Sequence, residues 1–87
     1  MPLFLIERNF AEQIGLNADN VREINSSNAG VGVRWLFSFL SANKKKTYCL
    51  YEAANPEAIR EAARRLGIPA DVIVEVSKLD PAAIAAS

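Results

Sequence analysis

The stretch from Thr47 to Val76, TYCLYEAANPEAIREAARRLGIPADVIVEV, constrains this chain more than any other. It reads as a strand, a capped helix and a second strand, with a signal at every joint. Asn55 stands at the cap position. Pro56 follows at the first helical residue, where its missing N–H has no consequence. Glu57 falls in the first turn and Arg64 and Arg65 in the last, so each charge sits at the dipole end that favours it. Ile59, Ala62, Ala63 and Leu66 recur at the i, i+3, i+4, i+7 spacing of a single apolar face. Gly67 suits the left-handed residue that ends a helix, and Pro69 prevents a restart. The flanking TYCLYE and VIVEV runs have the β-branched and aromatic composition of strands.

Upstream, the segment Leu3 to Arg8 alternates Leu3, Leu5 and Glu7 against Phe4, Ile6 and Arg8, as a first strand does. Asn17 is placed to cap a helix whose apolar stripe is thin (Val21, Ile24, Ala29). The INSSN segment has low helix propensity, so this helix is expected to be short and frayed. The run Val31 to Leu40 is nearly continuous in apolar residues and reads as a strand covered on both sides. Simple alternation places Val33, Trp35, Phe37 and Phe39 on one face, and Leu36 and Leu40 on the other beside Arg34 and Ser38. Asn43 to Lys46 supplies a hairpin turn whose lysines read as a solvated loop. Asp80 and Pro81 can start one last helical turn.

The order is β-α-β-β-α-β. It predicts an α+β, ferredoxin-like sandwich: one domain over residues 1–87, with a four-stranded sheet of antiparallel type and two helices on one face. The other face of the sheet then has no helix to cover it. With apolar residues on both faces of the first two strands, that face is a large apolar patch. A two-fold homodimer packing sheet against sheet is the expected solution.

Ten basic and ten acidic residues cancel, which removes the net positive field that draws phosphates or an anionic membrane. The basic, aromatic strand pattern of RNA-recognition modules is missing, so nucleic acid is not an expected partner. The longest apolar run is far shorter than a membrane span needs. No basic-then-apolar leader is visible at the start. The one cysteine, Cys49, has no partner for an internal disulfide. A cytoplasmic location is expected.

Taken together, IER near the start, GVRWLFSFLS, a lysine-rich turn, TYCLYEAANPEAIREAARRLGIP and a closing valine strand resemble a family of small bacterial proteins. That family was long catalogued as a domain of unknown function and is now often labelled nickel-binding. The resemblance runs from about Leu3 to Asp80. It implies a ferredoxin-like dimer and, for at least some members, a nickel ion held with histidine participation. The second strand of the family often reads Trp-x-His-Ser-Tyr, whereas here it reads Trp35-Leu36-Phe37-Ser38-Phe39, and the chain has no histidine at all.

Nickel favours nitrogen and sulfur donors. The donors that remain for a metal are Cys49 and carboxylates such as Glu7, Glu52 and Glu75. Cys49 is otherwise a small buried hydrophobe, or a reactive thiol where Arg8 or Arg34 approaches it. In the ferredoxin-like order the first and third strands are expected to be adjacent and parallel, so that Glu7 and Glu52 end close together. The carboxylates there bind a cation, act as general bases, or pair with Arg8 and Arg34. Trp35, Ser38 and Tyr51, with Glu7, are the candidate ligand-binding residues; the alternative for the first three is plain packing. Without histidine a serine–histidine nucleophile is excluded. The chain is therefore expected to be a small binding protein, for nickel through Glu7, Cys49 and Glu52 or for an organic ligand. The alternative is a cofactor-free enzyme of the dimeric α+β barrel type, a monooxygenase or isomerase with Glu7 as base.

Overall fold

The computed structural model describes residues 1–86. Along the chain run β1 (Leu3–Asn9), α1 (Ala18–Ala29), β2 (Arg34–Leu40), β3 (Lys46–Glu52), α2 (Pro56–Leu66), β4 (Val72–Val76) and α3 (Pro81–Ala86). The strands form one antiparallel sheet in the order β2-β3-β1-β4. The architecture is α+β and compatible with a ferredoxin-like fold.

The helices follow from their caps. In α2 the Asn55 side chain accepts from the Ala58 amide at 3.0 Å, and Gly67 closes the helix at φ +68°. Its neighbours return two amides to the last turn, Gly67 to the Arg64 carbonyl and Ile68 to that of Ala63. In α1, Asn17 and Asn20 cap each other: the Asn20 amide donates to Asn17 Oδ1 at 2.9 Å and the Asn17 amide to Asn20 Oδ1 at 3.3 Å. α1 is longer than expected and continues through INSSN. Asn28 is buried at its far end, and its carbonyl accepts from both Val31 and Val33, which ties the last turn to the entry of β2.

Two expectations about the sheet are corrected. First, β1 and β3 are neighbours but antiparallel. The β1-α1-β2 crossover leaves β1 and β2 running the same way, and the tight turn after β2 sends β3 back along both. Glu7 therefore faces Tyr48, while Glu52 faces Leu3 at the opposite end of the sheet. Second, β2 does not alternate simply. Trp35 pairs with Tyr51 but Phe37 pairs with Leu50, so Leu36 is an extra residue in a β-bulge. One inserted residue reverses the side on which everything after it points. Trp35, Ser38 and Leu40 thus share the helix side with Tyr51, Cys49 and Thr47. Phe37 and Phe39 turn to the open side with Leu50 and Tyr48.

The core lies between the sheet and α2. Phe4, Ile6 and Ile59 are its most completely buried large side chains, with Cys49, Tyr51, Ala62 and Ala63 around them. The open side carries Leu3, Leu5, Leu50, Val72, Val74 and Val76 beside Phe37 and Phe39, whose rings meet edge to face at 5.6 Å. Among the described residues no helix is long and apolar enough to cross a membrane.

Candidate ligand cavity

A groove of about 780 Å³ opens between the helix side of the sheet and α1, within the size range of small-molecule sites. Its floor is β3 and β1: Thr47, Cys49, Tyr51 and Arg8, all buried. β2 provides Trp35, Ser38 and Leu40 as one wall. α1 and the segment before it add Ile24, Phe10 and Ile14, and the end of α2 and the segment after it add Leu66 and Ile68, while Glu23 and Lys44 stand exposed at the rim. The lining is mostly aliphatic and aromatic, with a few polar atoms inside.

Those polar atoms are ordered by one another. The Trp35 indole N–H donates to Ser38 Oγ at 2.8 Å. Residues three apart on a regular strand face opposite ways, so this bond exists only because the Leu36 bulge returns Ser38 to the side of Trp35. The rings of Trp35 and Tyr51 lie 6.4 Å apart, tilted by 36°. Cys49 Sγ donates to Thr47 Oγ1 at 3.5 Å, and the thiol is buried. Arg8 donates through NH1 to the Pro69 carbonyl and through NH2 to the Tyr51 hydroxyl, each at 3.2 Å, and its guanidinium lies 5.5 Å from the centre of the Tyr51 ring.

Burial pushes the Tyr51 phenol above its ordinary value of 10.0, and the Arg8 guanidinium beside it opposes part of that shift. The folded state thus holds this proton more tightly than the unfolded chain does. The resulting stabilisation is complete below about pH 10 and is lost as pH rises through the folded value. An ultraviolet titration of tyrosinate is expected to show a step above that ordinary value, and Tyr51→Phe is expected to remove it; a titration unchanged by the substitution would contradict the placement of Tyr51.

Of the residues expected to bind a ligand, the fold brings Trp35, Ser38 and Tyr51 together in this groove. Glu7 is not with them. It lies on the open side of the sheet, 2.8 Å from Lys46, whose ammonium its hydrogen bond pushes above the ordinary value. The expected metal donors do not meet either. Cys49 is on the helix side, Glu7 on the open side, and Glu52 is at the other end of the sheet, 3.4 Å from Arg34. Pairing with a neighbouring cation, the alternative for these carboxylates, describes both glutamates, with Lys46 in the place expected of Arg8 for Glu7. Arg34 is accordingly turned away from Cys49. No group of three or more His, Cys, Asp and Glu side chains able to hold a metal occurs among the described residues. One thiol and no imidazole do not fit a nickel centre within the chain. Arg8 is the groove residue that the sequence least suggested, because a charged side chain in an alternating strand normally marks the wet face. Its position on the Phe4–Ile6 face was the available signal.

The model of the family described as nickel responsive protein SCO4226-like matches residues 4–76. This chain belongs to that family. Among solved structures, SCO4226 from Streptomyces coelicolor A3(2) superposes with a TM-score of 0.66 at 22% sequence identity, over 90% of this chain and 99% of that one. At that identity the likeness concerns the fold. Comparison with curated proteins gave no match. The family resemblance carried by the strand and helix motifs of this SCO4226-like chain is thus shown, and its departure at Phe37 acquires a structural meaning. Phe37, the position at which the resemblance implied a histidine, is 51% exposed on the open side and does not line the groove.

Proposed function

We propose that this SCO4226-like protein is a small cytoplasmic binding protein, working as a homodimer, whose ligand is an organic molecule held in the groove between the sheet and α1. The observation that carries this reading is the groove itself: about 780 Å³, walled by Trp35, floored by Tyr51 and Cys49, and largely apolar. Nickel enters through the family description alone, since the donor set of this chain is poor for it. The dimer is supported by Phe37, Phe39, Val72 and Val74, which are 51%, 64%, 43% and 48% exposed on one face. A reaction in the groove with Glu7 as base is not supported, because Glu7 points away from it.

Trp35 is the sole tryptophan and stands in the wall, so its emission reports directly on occupancy. Titration with 3-phenylpropanamide, a neutral aromatic of fitting size, is expected to give a saturable change in that emission. Ser38→Phe, which fills the groove from β2, is expected to abolish it. A response that survives Ser38→Phe would place binding elsewhere and overturn the proposal.

A further inference from the structure

Resting on the groove as a binding site, we infer that its ligand is an organic carboxylate, with the acid group held by Arg8 and the apolar body lying against Trp35 and α1. Arg8 is 4% exposed, a rare state for a guanidinium. Buried charges are normally matched by an opposite charge, because withdrawing an ion from water without one is strongly unfavourable. Here no ion pair involves Arg8 among the described residues. Its two partners are neutral oxygens, the Pro69 carbonyl and the Tyr51 hydroxyl, and they occupy two of its five N–H donors.

The charged side chains that share the groove do not supply the missing anion. Glu23, on α1, is exposed at the rim and forms no ion pair among the described residues. Lys44, in the turn between β2 and β3, is a second cation there, so the two groups nearly cancel and leave the Arg8 charge uncompensated. Bonding fixes the guanidinium plane at both ends, from the α2–β4 connection and from β3. A planar donor fork held in this way matches a carboxylate. The Tyr51 hydroxyl, already accepting from Arg8, has its own proton left to donate to the same acid group. Of the other interior polar groups, Trp35 is engaged with Ser38 and Cys49 with Thr47, while the buried Asn28 Nδ2, from the end of α1, has no hydrogen-bond partner among the described residues. Beyond the Arg8–Tyr51 end the lining is apolar, with Phe10, Ile14, Ile24 and Leu66. A ligand that satisfies both ends has one acid group and an aromatic or branched aliphatic body.

The test compares 3-phenylpropionate with 3-phenylpropanamide, which share shape and differ in charge, by calorimetry and Trp35 emission at neutral pH. The acid is expected to bind about tenfold to hundredfold more tightly than the amide, the range of a charge-assisted hydrogen-bonded pair. Arg8→Met, checked for folding by amide spectra, is expected to erase that preference while leaving weak binding of both. Arg8→Lys keeps part of it, and Lys44→Ala keeps nearly all. Equal binding of acid and amide to the unmodified protein would overturn the carboxylate inference and leave the groove reading standing. So would a preference lost in Lys44→Ala, which moves the anion to the rim. Failure of both probes to bind would overturn the inference together with the groove reading. The acid–amide comparison and the Lys44 variant decide the matter even where Arg8→Met does not fold.

Discussion

Phe4→Ala is expected to destabilise the protein by about 3–5 kcal/mol, the usual scale for emptying a buried aromatic position. Phe4 is 2% exposed in the central strand β1. It faces Tyr51 of β3 on one side and Glu75 of β4 on the other, and it belongs to the same buried cluster as Ile59 of α2. A rigid sheet flanks the site on both sides, so the surroundings have little freedom to collapse into the space. Domains of this size are stable by only about 5–15 kcal/mol, so the variant sits close to unfolding at room temperature. Urea denaturation measures the loss directly through its midpoint. A change below about 1 kcal/mol would mean that Phe4 does not anchor the sheet to α2.

Phe39→Asp is expected to convert a dimer to a monomer without unfolding it. Phe39 is 64% exposed and packs edge to face on Phe37, so its removal leaves the core untouched. In a two-fold dimer the same patch meets itself, and each substitution is felt twice. A charge buried among Leu5, Leu50 and Val74 of both copies would weaken association by more than about 2 kcal/mol, the scale of an interface hot spot. Native mass spectrometry reads the outcome: a dimer for the unmodified chain and a monomer for the variant. Added nickel is expected to leave the dimer mass unchanged. A monomer for the unmodified chain would contradict the dimer. Stoichiometric nickel uptake that disappears in Cys49→Ser would contradict the reading of Cys49 as a buried, metal-free thiol.

The elements were legible in the sequence where local chemistry dictates them. The Asn55-Pro56 start and Gly67 stop of α2 are decided within a few residues, and the apolar spacing of Ile59, Ala62, Ala63 and Leu66 needs no distant partner. The arrangement of the sheet is a different kind of information. The Leu36 bulge inserts one residue and carries Phe37 and Phe39 to the open side, yet RWLFSFL looks like any apolar strand. The direction of β3 follows from the crossover through α1, not from composition, and with it goes the separation of Glu7 from Glu52. The helix α1 outlasts its weak propensity because Asn28 is tied to β2 by backbone bonds that no local rule anticipates. Trp35, Ser38 and Tyr51 were singled out by residue type, and all three line the groove. What unites them in one groove is a register shift, and what gives the groove its polarity is Arg8, whose burial depends on the fold.

An amide shift map of the 15N-labelled protein titrated with 3-phenylpropionate reads residue by residue whether the groove is the binding site. The saturating shifts are expected to gather at Arg8, Trp35, Ser38, Cys49, Tyr51 and the facing turns of α1, with Phe37, Phe39, Leu50 and Val74 unmoved. Shifts gathered instead on those open-face residues, or no saturable shifts at any site, would contradict it.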